Sequence, residues 1–131
     1  YMIMEPSRDY VSKCLESADE MLEDARLLLQ KDRPKSAVDR AYQSMHHAAQ
    51  AILYKLGVKP PKTHSGLISL FGKHAVEAGL IEPEYGRMLN RAFELRQKSD
   101  YEVFASIGLE EVGDVVSKAD AFLTRIKDLS L

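Results

Sequence analysis

The feature that most constrains this chain is the spacing of its apolar residues. From Ser7 to Gln30, Val11, Cys14, Leu15, Ala18, Met21, Leu22, Ala25, Leu28 and Leu29 recur at intervals of three and four, while Glu16, Asp19, Glu20, Glu23 and Asp24 occupy the other side. That period fits an α-helix with one buried stripe. "KDRPKSAVD" interrupts it, and a second periodic segment runs from Ser36 to Leu56 with Gly57 as its stop. The two prolines of "VKPPKTHSG" forbid regular helix there, and Thr63 or Ser65 can cap a third helix that ends near Gly79. Pro83 suits the start of a fourth helix reaching about Ser99. After "SIGLEE" a last helix carries Val112, Val115, Val116, Ala119, Phe122, Leu123 and Ile126. No stretch alternates like a strand. The expected fold is all-α, an antiparallel up-and-down bundle of four long helices plus one shorter one, in a single domain spanning 1–131.

Composition excludes more than it assigns. A net charge of −2 argues against coating nucleic acid through a broad basic surface, so any polyanion contact should be focal. A lone Cys14 permits neither an internal disulfide framework nor a cysteine zinc site, and it reads as a small core residue in a reducing, cytoplasmic setting. No apolar run approaches the length of a membrane span, and "YMIMEP" lacks the pattern of a signal peptide.

The fourth helix contains a conflict. At about 100° per residue, positions 85, 88, 89, 92 and 96 share one face, and Arg96 lies near its centre with Asp100 one turn later. An unpaired charge in a dry core costs several kcal/mol, so Arg96 must meet a carboxylate or open onto a cleft that admits water and anions. One reading is structural: a pair with Asp100, or with Asp39 across the bundle. The other is a guanidinium aimed into a groove as a bidentate phosphate ligand. Asp39 and His46, seven residues apart, lie at one edge of the stripe of Tyr42, Met45, Ala49 and Leu53. If the second and fourth helices are neighbours, Asp39, His46, Arg96 and Asp100 collect in one cleft. A half-buried histidine satisfied by a carbonyl is the plainer account of His46. His46 and His47 diverge on a helix and cannot share one metal, so no metal site is expected, and no cofactor.

"SAVDRAYQSMHHAAQAILYKLGVKPPKTHSGLISLFGKH" followed by "RAFELRQKSDYEV" resembles the HEPN domain family, from about Ser7 to Leu129. The resemblance rests on Asp39, Tyr42, His46, Ala48 and Ala49, on the His64–Phe71 segment, and on the RxxxDY run of Arg96, Asp100 and Tyr101. It implies a helical bundle that commonly forms homodimers, often paired with a minimal nucleotidyltransferase as toxin and antitoxin. In active members an Arg followed shortly by a His cleaves RNA without a metal. Here the positions that would hold that histidine are Tyr101, Glu102 and Val103.

The expected role is therefore a dimeric module that contacts a nucleotide or RNA, with Arg96 on the phosphate and Asp39, His46 and Asp100 orienting it. An enzymatic alternative, a metal-independent ribonuclease toxin, would draw on Arg96, Asp100, Tyr101 or His46. A third alternative is a scaffold in which Arg96 and Asp100 only hold the bundle together. Arg87, Arg91 and Lys98 read as a solvated outer face, and His64 as part of a helix start, where capping outweighs phosphate binding by backbone amides.

Overall fold

A computed structural model describes residues 6–102 and 106–129, and among these it contains five α-helices and no strand. They are α1 (Pro6–Gln30), α2 (Pro34–Lys55), α3 (His64–Phe71), α4 (Pro83–Tyr101) and α5 (Leu109–Lys127). The bundle expected from the periodicity is present. The third helical stretch differs in kind from a plain α-helix: it is α-helical only to Phe71 and continues as a π-helical segment, Gly72–Val76.

The boundaries follow from local chemistry. Pro34 and Pro83 sit in the first turns of α2 and α4, where a missing N–H costs nothing. The link from α1 to α2 turns through Asp32 at φ 59°, a left-handed conformation that a short polar side chain tolerates. Gly57, at φ 79°, closes α2: Val58 N–H reaches Leu53 C=O at 2.9 Å and Gly57 N–H reaches Tyr54 C=O at 3.0 Å. That pair of bonds caps orphaned carbonyls in the manner only a left-handed residue allows. At the start of α3 the Thr63 side chain accepts from Gly66 N–H at 3.0 Å, and a Cβ on Gly66 would stand 2.6 Å from that oxygen.

Helix α2 is the axis of the molecule, with eleven of its 22 residues buried, and it packs against α1, α3, α4 and α5. On the α2 face that carries Ser44 stand Ala37, Ala41 and Ala48, which share one buried cluster with Ala18, Leu22 and Ala25 of α1. The small side chains bring the backbones near enough for Ser44 Oγ to donate to Ala18 C=O at 2.8 Å, which satisfies a hydroxyl with no access to solvent. Toward α5, Phe122 packs in tilted geometry with its ring centre 5.3 Å from that of Phe71 and 6.4 Å from that of Tyr85. Cys14 is buried, in a satellite cluster with Val11 and Ala51.

Candidate functional site

Three helices converge on Arg96. The α4 face that carries Leu89, Ala92 and Leu95 into the core also swings Arg96 against α2, and its side chain stays 22% exposed. Nε donates to Asp39 Oδ1 at 3.0 Å and lies 3.4 Å from Asp100 Oδ2. Both carboxylates thus approach the same nitrogen. Nη1 turns the other way, to His64 Nε2 at 3.4 Å, and among the described residues Nη2 has no hydrogen bond. The guanidinium carbon also lies 5.5 Å from the centre of the Tyr42 ring.

His64 opens α3, immediately after the Thr63 cap, and its ring turns inward. Its Nδ1 lies 2.8 Å from Tyr42 Oη, and its ring stacks 5.7 Å from Phe93 and lies tilted 4.9 Å from His46. Arginine can only donate, so a hydrogen bond from Nη1 makes Nε2 the acceptor and puts the ring proton of that tautomer on Nδ1, the nitrogen that faces Tyr42 Oη. Tyr42 is fully buried on α2. Burial pushes its phenol up to about 12, with the neighbouring Arg96 pulling weakly the other way. The His64 imidazole is held below its usual range, first by burial and then by the Arg96 charge. It is therefore a neutral ring with a lone pair beside a cation.

The residues expected to gather at Arg96 stand in unequal relation to it. Asp39 and Asp100 both contact the guanidinium, so the two alternative ion pairs of the sequence reading coexist. His46 shares the cleft but meets the cluster through rings, in tilted contact with His64 and Tyr42, and its Nδ1 is buried with no hydrogen-bond partner among the described residues. It contacts Arg96 through no hydrogen bond among the described residues. Tyr101 is 80% exposed and stands outside the cluster, Glu102 is exposed, and Val103 lies outside the described residues. Sequence reading treated His64 as part of a helix start; the structure gives the cap to Thr63 and brings His64 to the guanidinium. Its position in "TH", one residue past a cap, was the only local signal, and nothing in that spacing points to α4.

The Arg87, Arg91 and Lys98 face is exposed, and Arg91 reaches Glu111 on α5 at 3.3 Å. A separate groove of about 300 Å³ lies between α4 and α5, floored by Met45, Met88 and Val115. None of the Arg96 cluster lines it. It offers volume without convergent chemistry: Lys118 on its rim is already 3.4 Å from Asp114. The candidate site is the smaller, charged one. Among the described residues no group of three or more His, Cys, Asp or Glu has the arrangement of a metal site, and no helix is long and apolar enough to cross a membrane.

His46 gives the cluster a pH signature. Burial first, then the nearby His64, His47 and Arg96, push its imidazole down to about 4 from 6.5. Between those values the unfolded chain holds a proton that the folded chain refuses. Stability is therefore complete above pH 6.5 and falls as pH drops toward 4. The expected loss by pH 4.5 is roughly 2–3 kcal/mol, and the depressed His64 and His47 act in the same direction. Urea unfolding at pH 7.5 and 4.5 measures it, and His46→Leu should flatten the dependence.

The chain is similar in sequence to known proteins. The HEPN domain family model matches residues 11–129. A protein of Methanocaldococcus jannaschii named "Putative toxin MJ0605" is 35% identical over 92% of this chain and 88% of its own length. A UPF0332 protein of Thermotoga maritima is 38% identical, covering 86% and 84% of the two chains. A second Methanocaldococcus jannaschii protein, "Putative toxin MJ0142", is 30% identical over 89% of this chain and 79% of its own.

Proposed function

The chain belongs to the HEPN domain family, and on that premise we propose that it is a toxin-like module whose Arg96 holds a phosphate of a nucleotide or RNA. In this reading it acts as a homodimer alongside a minimal nucleotidyltransferase. The observation that carries the proposal is the one-sided neutralisation of Arg96. Two carboxylates crowd Nε, while Nη1 faces a neutral imidazole, and the arginine side chain as a whole is 22% exposed. A guanidinium serving only as a strut would be expected to spread its donors over its carboxylates as a closed fork. The names of the two Methanocaldococcus jannaschii relatives support the toxin-like part.

A ribonuclease is the second reading, and one observation favours it. The histidine missing after Arg96 has a spatial counterpart in His64, whose Nε2 lone pair lies 3.4 Å from Nη1. A neutral imidazole beside a phosphate-binding arginine can take the proton of the attacking 2′-hydroxyl and, as imidazolium, give it to the leaving 5′-oxygen, a return that Asp100 and Tyr101 are ill suited to make.

Anisotropy titration with a labelled single-stranded RNA, at rising salt, tests the proposal. Binding that weakens with salt is the expected result, since phosphate contact releases counterions. An absence of binding by the folded wild-type chain would overturn it. Incubating the same RNA with the protein and resolving the products decides the second reading: cleavage abolished by His64→Ala establishes it, and intact RNA at high protein concentration removes it.

A further inference from the structure

We propose that the groove between α4 and α5 is the face through which two copies of the chain associate, with their α4 helices antiparallel about a two-fold axis beside Met88. The inference rests on the homodimer of the preceding reading and gives it a surface, one that no member of the Arg96 cluster lines.

The first ground is shape. Met45 is a core residue of α2, yet it floors the groove, so α4 and α5 stand apart at this level and the layer beneath them closes the bottom. Half-buried Met88 and buried Val115 form the apolar walls. A second hollow, of about 170 Å³, shares Arg91 with the first and continues along α4 past Leu95 to Lys98. From Glu84 to Lys98 the two follow about 21 Å of helix. A trough of that length suits a helix laid along it. Methionine, unbranched and polarizable, adapts to such a neighbour.

The second ground is the order of charges on the α4 wall. Positions 84, 88, 91 and 95 share one stripe at helical spacing, with Glu84 at its head and Arg87 and Arg91 one and two turns later. Glu84 and Arg87 are exposed, and among the described residues neither enters an ion pair or a hydrogen bond. The charges of the α5 wall are committed: Lys118 lies 3.4 Å from Asp114, and Glu111 lies 3.3 Å from Arg91. A second α4 laid antiparallel sets its Arg87 and Arg91 opposite Glu84, and the two-fold axis repeats the match at the other end.

The third ground is the poor fit of other occupants. Arg87, Arg91 and Lys118 line the groove together with Glu84 and Asp114. A strongly acidic partner, nucleic acid included, meets the two carboxylates, and a strongly basic one meets the three cations. A surface whose charges run in the opposite order along its length is answered throughout, and this face turned end for end is such a surface. Met88 of each copy then sits near the axis, where apolar contact excludes water from the ion pairs on either side.

Sedimentation equilibrium of the full chain over a wide range of concentration tests the proposal, with circular dichroism confirming that each variant is folded. The wild type should dimerise. Glu84→Arg should weaken self-association by at least about tenfold, because it sets cations against cations at both ends of the α4 pair, and the double variant Arg87→Glu with Arg91→Glu should do the same with carboxylates. Mixed in equal amounts, the two variants should form a heterodimer about as tight as the wild-type dimer, since each face then meets its opposite. All three positions are exposed, so the changes leave the core untouched. If both variants dimerise as the wild type does, or if both are weakened and the mixture does not recover, this inference is overturned and the homodimer stands through another face. A wild type that stays monomeric at the highest concentration removes the homodimer as well, and leaves the phosphate contact of Arg96 to be judged by RNA titration.

Discussion

Arg96→Ala is expected to weaken RNA binding by about 2–4 kcal/mol, some 30- to 1,000-fold, while costing the fold only about 1–2 kcal/mol. The two magnitudes separate because the groups left behind differ in their access to water. Asp39 and Asp100, which lose their partner, have side chains 33% and 42% exposed, so solvent takes over much of the lost pairing. A phosphate that loses a cationic fork in a site lined by two carboxylates has no such substitute, and meets a net negative charge of two in place of one. Arg96→Lys should recover little of the affinity, because a point charge cannot reach Asp39 through Nε and keep a planar edge toward the guest. Thermal denaturation and RNA titration of the same preparations measure both quantities. A loss of stability above about 3 kcal/mol with unchanged binding would make Arg96 a strut.

Phe122→Ala is expected to cost about 3–5 kcal/mol, a large share of a domain's usual 5–15. Phe122 has no exposed surface and joins α5 to α3 through Phe71 and to α4 through Tyr85. Truncation leaves a void walled by three separate elements, which a helical bundle cannot close without moving a whole helix. The urea midpoint should fall with little change in slope, since the unfolded chain exposes nearly the same surface. The protein that remains folded should bind RNA as before, because the ring contacts of Phe122 among the described residues are with Phe71 and Tyr85, outside the Arg96 cluster. A cost below about 1 kcal/mol would mean that this part of the core is not packed as described.

Most of the helical layout was legible because its causes are local. The three-and-four spacing on α1, α2 and α5, the prolines at the starts of α2 and α4, and Gly57 at the end of α2 each act within a turn or two of the chain. The change from α to π at Gly72 was not legible. Glycine there has no side chain in contact and φ is ordinary, so no local preference at that residue announces an i→i+5 bond. At the site, Arg96 could be singled out because it violates its own helix's stripe, and Asp39 and Asp100 because they were the carboxylates that could answer it.

His64 marks the limit. It stands 32 residues from Arg96 and 22 from Tyr42, and each of those separations crosses a turn whose geometry no periodicity records. The sequence by itself determined where the helices run, which face of each is apolar, and that one charge on α4 must find company, since all three are set by neighbours a few residues away. Only the tertiary structure decided which company: that two carboxylates would take one edge of the guanidinium, and that a histidine at the head of α3, held by a buried tyrosine, would take the other. Close packing fixed those choices, because the angle at which three helices meet depends on the volumes of all the side chains between them.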